Sequence, residues 1–343
     1  MLPIAVDAMG GDRAPGEIVA GAHQAAAQGT PVILVGPAGL EGQGDLPLIE
    51  ASEVIEMTDD PGSSVRRKKD STLIRAAEAV RDGRASAMVS AGNTGATMAS
   101  ALFRMGRIKG VSRPAIATPV PVPGHRPTIL LDAGANAEVQ AEWLVQFAQM
   151  GSVYARHRFG VAEPRVGLLS IGEEPHKGDT LRKEVYDLLA AASGIQFVGN
   201  VEGRDIMTPD VDVVVTDGFT GNVVLKTLEG ALKTVVTALF AAFGSTPETQ
   251  AASEILLPSL MPLYASLDPE TYGGAVLLGV DGVCIISHGS SSARAVVNAI
   301  GVAREMVESN LVAELAAAIS AGASPAGTGA SPAGGGVSPA IDG

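Results

Sequence analysis

A run of β-branched residues passes directly into two closely spaced glycines and then into a helical pattern at Val211–Lys226. β-Branched residues favour a strand, and Gly218 and Gly221 permit backbone conformations that other residues resist. We expect the strand to end at Thr216 and a helix to open at Asn222. The first turn of such a helix presents unpaired N–H groups and the positive end of the helix dipole, so this stretch predicts an anion site.

The same order of strand, small-residue turn and helix recurs three times, at Met88–Ala96, Ile129–Asn136 and Val283–Ser292. In a parallel sheet such turns lie at the carboxyl ends of the strands, where doubly wound folds bind ligands. For any single turn, glycines that merely permit a tight connection explain the pattern equally well. Together, the four turns predict an α/β fold with a doubly wound, mostly parallel sheet flanked by helices. We expect them to share one anionic ligand at one edge of that sheet.

Composition limits the classes of protein to which the chain can belong. Hydrophobic residues make up 46% of the 343 residues, so a large core is available, and the net charge of −13 argues against non-specific nucleic-acid binding. The single cysteine, Cys284, excludes an intramolecular disulfide and a cysteine-rich metal site. The first residues lack the pattern of a signal peptide, and no stretch is a good membrane span, so we expect a cytoplasmic protein.

The chain divides into a long globular part and a short tail. We expect residues 1–320 to form one α/β domain, as one lobe or two, with a helical segment protruding at about 240–267. Residues 321–343 contain mainly alanine, glycine, serine and proline, and this composition predicts a disordered tail.

A polar loop follows the predicted strand Arg165–Ser170 and concentrates five ionisable side chains: Glu173, Glu174, His176, Lys177 and Asp179. This concentration is high for a simple connection. Lys177 is the best candidate to bind a phosphate or to polarise a carbonyl group. His176 is a candidate general acid or base, although an isolated histidine is more often structural.

Two further stretches are unusual for an acidic chain with few aromatic residues. Four consecutive cations occur at Arg66, Arg67, Lys68 and Lys69, and they form either a solvated loop or a docking patch for an acidic partner or an anionic substrate. Ile255–Tyr264 places large apolar residues around two prolines. It is either a buried connection or a helix-loop-helix tip that contacts a membrane or an acyl chain.

Several familiar catalytic signatures are absent from the sequence. It contains no dinucleotide fingerprint, no phosphate-binding loop ending in Gly-Lys-Ser/Thr, no Gly-x-Ser-x-Gly elbow and no His-Glu-x-x-His. Anion-binding turns, a loop lysine and amide side chains remain. They suit the binding of phosphate and the stabilisation of an oxyanion without a covalent intermediate. The residues alone therefore predict a phosphate-handling α/β enzyme.

Seven motifs closely resemble the bacterial PlsX family of phosphate acyltransferases, in the same order and over roughly residues 1–320. The motifs are Val6–Asp12, Ser90–Ala96, Leu131–Asn136, Gly172–Gly178, Thr216–Asn222, Tyr272–Ala275 and Asp281–Gly289.

This resemblance implies transfer of a fatty acyl group from acyl-acyl-carrier protein to inorganic phosphate, without a cofactor or a metal. The acyl phosphate then supplies a membrane glycerol-3-phosphate acyltransferase in phospholipid synthesis. The resemblance also implies a homodimer, peripheral association with the inner face of the cell membrane, and a fold related to phosphotransacetylase and isopropylmalate dehydrogenase. A phosphotransacetylase-like enzyme that uses acyl-coenzyme A is the alternative. A non-catalytic regulator and a metal-dependent dehydrogenase fit less well.

The site expected from the turns and the resemblance has four parts. The catalytic candidates are Lys177, Asn222 and His176. The candidates for binding phosphate or substrate are Asp7, Gly10, Gly11, Gly92, Asn93, Thr94, Gly95, Asp132, Asn136, Asp217, Gly218, Thr220 and Gly221. The acidic carrier protein is expected to dock on Arg66, Arg67, Lys68 and Lys69. Contact with the membrane or the acyl chain is expected at Leu256, Leu257, Leu260 and Met261.

Overall fold

The computed structural model describes residues 1–322, apart from the side chain of Pro269. The strands are β1 (Ile4–Asp7), β2 (Val32–Gly36), β3 (Leu48–Glu50), β4 (Ala87–Ser90), β5 (Ala115–Val120), β6 (Thr128–Leu131), β7 (Arg165–Leu169), β8 (Gln196–Val201), β9 (Val213–Val215), β10 (Ala275–Leu278) and β11 (Val283–Ile286). The α-helices are α1 (Gly16–Ala27), α2 (Pro61–Arg67), α3 (Thr72–Arg81), α4 (Thr94–Arg104), α5 (Ala141–Phe159), α6 (Thr180–Ala191), α7 (Gly218–Phe243), α8 (Pro247–Leu267), α9 (Ala293–Glu308) and α10 (Leu311–Gly322).

All eleven strands belong to one sheet, in the order β3-β2-β1-β4-β11-β10-β5-β6-β9-β7-β8. Most neighbouring strands are parallel, but β10 is antiparallel to both β11 and β5, and β5 is antiparallel to β6. Side chains alternate between the two faces. In β1, for example, Ile4 and Val6 pack in one core cluster and Ala5 packs in another. Helices cover both faces, so the predicted α/β class with a mostly parallel, doubly wound sheet is confirmed.

The expectation that the four turns share one edge of the sheet is wrong. The antiparallel pairings reverse the chain direction, so β6, β7 and β9 run opposite to β1, β4 and β11. The turns therefore form two groups, one after β4 and β11 and the other after β6 and β9.

Helices from both halves of the sheet share one core cluster. Met98 and Ala99 of α4 pack against the cluster that contains Met88 and Cys284. Leu225 of α7 packs against the same cluster and also against the one that contains Val214. The first turns of α4 and α7 therefore lie on the same face of the sheet.

One expected boundary differs from the structure. Helix α7 begins at Gly218 rather than at Asn222, because Asp217 caps it. The hairpin of β5 and β6 lies in the middle of the sheet. The described chain ends in two helices, α9 and α10, which separate at Asn310, where the backbone φ is 56°.

The apolar stretch around two prolines is also not a helix-loop-helix tip. Pro258 and Pro262 lie inside the continuous helix α8, which forms a hairpin with α7. The turn of this hairpin is at Gly244–Thr246. Among residues 1–322, no helix is both long and apolar enough to cross a bilayer. The division into domains stays a prediction, and the expected disordered tail lies outside the described residues except for Ala321 and Gly322, which end α10.

Candidate functional site

The turn after β6 is built around the buried carboxylate of Asp132. Its Oδ1 accepts the N–H groups of Ile116, Gly134 and Ala135 at 3.0, 3.1 and 2.9 Å. Its Oδ2 accepts the backbone N–H and the side-chain amide of Asn136 at 2.7 and 2.8 Å. Burial raises the pKa of Asp132, and the hydrogen bonds from Ala135, Asn136 and Ile116 act in the opposite direction. The carboxylate is occupied by donors of its own turn and by Ile116 of β5, so it fixes the shape of the turn and ties it to β5.

The start of α7 lies directly against this turn. The Gly218 N–H donates to the Asn136 carbonyl at 2.7 Å. A Cβ on Gly221 would lie 1.9 Å from the Asp132 carbonyl oxygen, so glycine is required there for close approach. This packing places Asn222, whose side chain is exposed, beside Gly134.

The first turn of α7 is capped by Asp217 rather than left open to a ligand. Asp217 Oδ1 accepts the Thr220 N–H at 2.8 Å, and Oδ2 accepts the Thr220 hydroxyl at 2.8 Å. Burial raises the pKa of Asp217, but the hydrogen bonds from Thr220 and the adjacent Arg182 guanidinium outweigh it and hold the pKa below its ordinary value. An anion at this turn therefore needs donors from elsewhere.

The loop after β7 supplies such donors. Lys177 is half-buried, and no carboxylate within residues 1–322 forms a salt bridge with it; the other half-buried lysine, Lys68, is paired with Asp59 at 2.6 Å. Gly178, with φ of 96°, packs over Ser170: a Cβ there would lie 2.9 Å from the Ser170 hydroxyl oxygen. That hydroxyl is buried and has no hydrogen-bond partner in the described part of the chain.

Buried polar groups are nearly always hydrogen-bonded. A buried hydroxyl and a half-buried cation, both without partners among residues 1–322, therefore leave this loop able to donate hydrogen bonds and positive charge to a ligand. Thr216, at the end of neighbouring strand β9, adds a second buried hydroxyl without a partner among residues 1–322.

Arg182 connects the two loops, and the sequence reasoning missed it. Its guanidinium lies 3.0 Å from the Asp179 carboxylate, forms a hydrogen-bonded salt bridge with Asp217, and donates to the Thr220 hydroxyl at 3.2 Å. Asp179 and Asp217 are the N-caps of α6 and α7, so one side chain ties two helix starts together. The available signal was the spacing of Asp179 and Arg182, because residues three apart in a first helical turn face each other.

His176 and Asn222, the other two catalytic candidates, are exposed. His176 lies one residue before Lys177 in the same loop, and Asn222 lies in the second turn of α7. Neither side chain makes a hydrogen bond within residues 1–322. Both are therefore free to meet a substrate.

The remaining candidates form a second group at the ends of β1 and β4. The Ser90 hydroxyl donates to the buried Asp7 carboxylate at 2.7 Å and accepts the Gly92 N–H at 2.9 Å. Asn93 caps α4 by accepting the Ala96 N–H at 3.0 Å. Burial raises the pKa of Asp7. The members of this group are Asp7, Gly10, Gly11, Gly92, Asn93, Thr94 and Gly95.

No hydrogen bond or salt bridge within residues 1–322 joins this second group to the group around Asp132, Lys177 and Asp217. The basic run lies near the second group, because Asn93 donates to the Met57 and Asp59 carbonyls and Gly95 contacts Pro61 at the start of α2. Of its four cations, only Lys68 forms a salt bridge within the described residues.

The four residues expected to meet the membrane or the acyl chain lie on α8. Leu256 is 51% exposed and Met261 47% exposed, whereas Leu257 and Leu260 are half-buried. Exposed apolar side chains continue along α7, at Val235, Leu239 and Phe240. The hairpin of α7 and α8 therefore presents an apolar surface.

Comparison with known proteins supports a specific family. A family profile described as "Fatty acid synthesis protein" matches residues 2–314. The chain is 49% identical over 327 residues to a phosphate acyltransferase of Pelotomaculum thermopropionicum, an alignment that covers 93% of this chain and 95% of that protein. It is 47% identical to a phosphate acyltransferase of Heliobacterium modesticaldum, with 91% and 96% covered.

Solved structures share the fold at lower identity. A phosphotransacetylase from Streptococcus pyogenes superposes with a TM-score of 0.57 at 16% identity and covers 93% of this chain and 94% of its own. A branched-chain phosphotransacylase from Enterococcus faecalis gives the same TM-score at 16% identity, with 90% and 99% covered. These likenesses show the fold.

Proposed function

The chain belongs to the fatty acid synthesis protein family and is a phosphate acyltransferase, and from that premise we propose that it transfers a fatty acyl group from acyl-acyl-carrier protein to inorganic phosphate, releasing acyl phosphate. The observation that supports this most directly is that the loop after β7 holds both Lys177 and the buried Ser170 hydroxyl, neither of which has a side-chain partner among residues 1–322. Together they offer a charge and a hydrogen bond to one small anion.

Phosphate binds in this proposal at the carboxyl ends of β7 and β9. Lys177 offsets part of its charge, and the hydroxyls of Ser170 and Thr216 donate to its oxygens. Arg182 holds the Lys177 loop and the start of α7 in register through Asp179 and Asp217. The Gly92–Gly95 turn is not assigned to this phosphate, because it belongs to the second group.

The chemistry is an acyl transfer in one addition and one elimination. A phosphate oxygen attacks the thioester carbonyl carbon and forms the new C–O bond, and the electron pair moves onto the carbonyl oxygen. Asn222 donates its side-chain amide to that oxyanion. The oxyanion then collapses, the C–S bond breaks, and the carrier thiolate leaves. Phosphate is already an anion at neutral pH and thiolate is a good leaving group, so the step needs no strong general base, and His176 stays secondary to Lys177.

Lys177→Ala and Asn222→Ala test this assignment. Each variant is expected to lose on the order of 10²–10³-fold in kcat, as enzymes do when one charge-stabilising donor is removed. The assay incubates purified protein with palmitoyl-carrier protein and labelled phosphate, and measures acyl phosphate and free carrier thiol. Lys183→Ala is the matched control, since Lys183 is an exposed lysine six residues along the chain with no salt bridge in the described residues.

Three outcomes discriminate between the functions considered. Phosphate-dependent thiol release from palmitoyl-carrier protein supports the proposal. Preference for palmitoyl-coenzyme A assigns the activity to the alternative, phosphotransacetylase-like reaction. Near-normal turnover in Lys177→Ala or Asn222→Ala contradicts the assigned site.

The apolar surface of α8 supports a cellular location for this reaction. We assign the protein to the cytoplasmic face of the cell membrane as a peripheral homodimer, with Leu256 and Met261 in contact with lipid. An acyl phosphate released there reaches a membrane glycerol-3-phosphate acyltransferase without crossing bulk water. The exposed residues of α7 and α8 are the feature on which this location rests.

A further inference from the structure

Three exposed apolar side chains flank the proposed phosphate site. Ile171 is 81% exposed, Phe219 is 66% exposed and Val223 is 49% exposed. None of them packs in any of the three core clusters, whereas Val224, Leu225 and Leu228 of the same helix do. The start of α7 therefore has an inner face that packs on the sheet. It also has an outer apolar face that packs in no core cluster within residues 1–322.

The strand pairing places the segments that carry these side chains next to each other. β7 and β9 are neighbours, with Leu168 paired to Val215. Ile171 and Gly218 each follow three residues later, so the loop after β7 and the start of α7 begin at adjacent strand ends, in strands about 4.8 Å apart. Phe219 is the next residue, and Val223 lies four residues further on the same side of α7.

The same three residues adjoin the atoms proposed to hold phosphate. Ile171 directly follows Ser170, whose hydroxyl has no partner in the described chain. Phe219 directly precedes Thr220, which accepts a hydrogen bond from Arg182 at 3.2 Å. A cation and hydroxyl groups with apolar neighbours fit a ligand that joins an anion to a hydrocarbon.

We propose that Ile171, Phe219 and Val223 receive the first methylenes of the acyl chain and so give the enzyme its preference for long acyl donors over acetyl donors; this rests on the proposed function. The acyl chain is bonded to the carbon that phosphate attacks, so its first methylenes lie within a few bonds of the phosphate. Apolar surface beside Lys177 is therefore a requirement of the reaction. The apolar residues of α8 lie on the second helix of the α7–α8 hairpin, and in the function proposed above they contact the membrane.

The expected effect of each methylene on kcat/KM follows from the free energy gained when that methylene leaves water. Each methylene buried against these side chains raises kcat/KM by about fourfold. In the Ile171→Ala, Phe219→Ala double variant, the first methylenes have less apolar surface to contact. The factor by which each of them raises kcat/KM therefore falls towards one. The loss of kcat/KM is therefore larger for long acyl donors than for acetyl donors.

The experiment measures kcat/KM for a series of carrier-protein thioesters from acetyl to palmitoyl, in the full-length protein without vesicles. Ile255→Ala is the comparison variant, because Ile255 is 80% exposed on α8 and matches Ile171 in type and exposure. A flattened chain-length dependence in the double variant, with the wild-type dependence retained in Ile255→Ala, supports the proposal.

Other outcomes overturn it. An unchanged chain-length dependence in the double variant shows that the acyl chain does not lie on these residues. A flattened dependence in Ile255→Ala alone assigns the chain to α8. An equal loss for every donor, together with a changed mass in analytical ultracentrifugation, assigns the surface to contact between copies of the protein. Wild-type protein that forms no acyl phosphate from any donor contradicts the proposed function itself.

Discussion

Replacing Gly221 with alanine is expected to disrupt the site through a single steric contact. The added Cβ lies 1.9 Å from the Asp132 carbonyl oxygen, whereas real Cβ contacts are almost never shorter than 3.0 Å. The first turn of α7 must therefore move away from Asp132 by about 1.1 Å or more, which is the difference between these two distances. The atom met is backbone, so no side-chain rotation relieves the contact.

Both activity and stability are expected to fall. A displacement of about 1 Å in a positioning element costs on the order of 10²-fold in rate, so we expect kcat/KM to fall by that factor. Inserting a methyl group into a packed contact destabilises by about 1–3 kcal/mol. Asn222 and Phe219 shift together because both lie on α7, so short and long acyl donors are expected to lose activity alike.

The measurements are acyl-phosphate formation from palmitoyl-carrier protein and urea unfolding followed by circular dichroism. Gly230→Ala is the matched control on the same helix, where an added Cβ meets nothing within 4 Å. It is expected to keep the activity and to stabilise the helix by up to about 1 kcal/mol. A Gly221→Ala protein with wild-type kcat/KM would refute the steric argument, because the contact would then be absent in solution.

Two further predictions concern the buried carboxyl of β1 and the surface of α8. Burial raises the pKa of Asp7 above its ordinary 3.8, so the folded state binds this proton more tightly than the unfolded state does. As the pH rises through the folded pKa, the wild type loses this contribution and Asp7→Asn does not. The difference in unfolding free energy, wild type minus Asp7→Asn, should therefore fall over that pH range. Urea unfolding of both proteins from acid to neutral pH measures this, and a difference that does not vary with pH contradicts it. Leu256→Asp with Met261→Asp should abolish co-sedimentation with anionic phospholipid vesicles, whereas Ser259→Asp on the same helix should not; retained binding in the double variant excludes α8 as the contact.

The patterns that predicted the fold were local, and so were the predictions that succeeded. Runs such as Ala87–Ser90 and Val283–Ile286 are short, apolar and bounded by turn residues, so their strands were recognisable from the sequence. Strand direction is a property of the whole sheet. The reversal depends on pairings such as that of β10 with β5, which lie far apart in the sequence, and no local pattern encodes it.

The site was predictable in its residues more than in its contacts. Lys177 and Asn222 stood out because each follows an apolar strand within a few residues, Lys177 in a polar loop and Asn222 after a glycine-containing turn. Arg182 did not, since its importance comes from Asp217, a residue thirty-five positions away that only the sheet brings near. The glycines of Thr216–Asn222 were interpreted as turn residues, although Gly218 and Gly221 serve close packing against Asn136 and Asp132.

The hairpin of α7 and α8 has few fully buried residues: Gly218 and Gly221 at its beginning, and Ser253. Helices of this length owe most of their stability to packing, and backbone amides without packed neighbours open more readily than those of a core. In hydrogen exchange, the free energy of local opening should therefore be much lower for backbone amides in the outer turns of the hairpin than for those in the central strands. The outer hairpin can thus unravel and re-form while the strands that carry the catalytic loops stay folded.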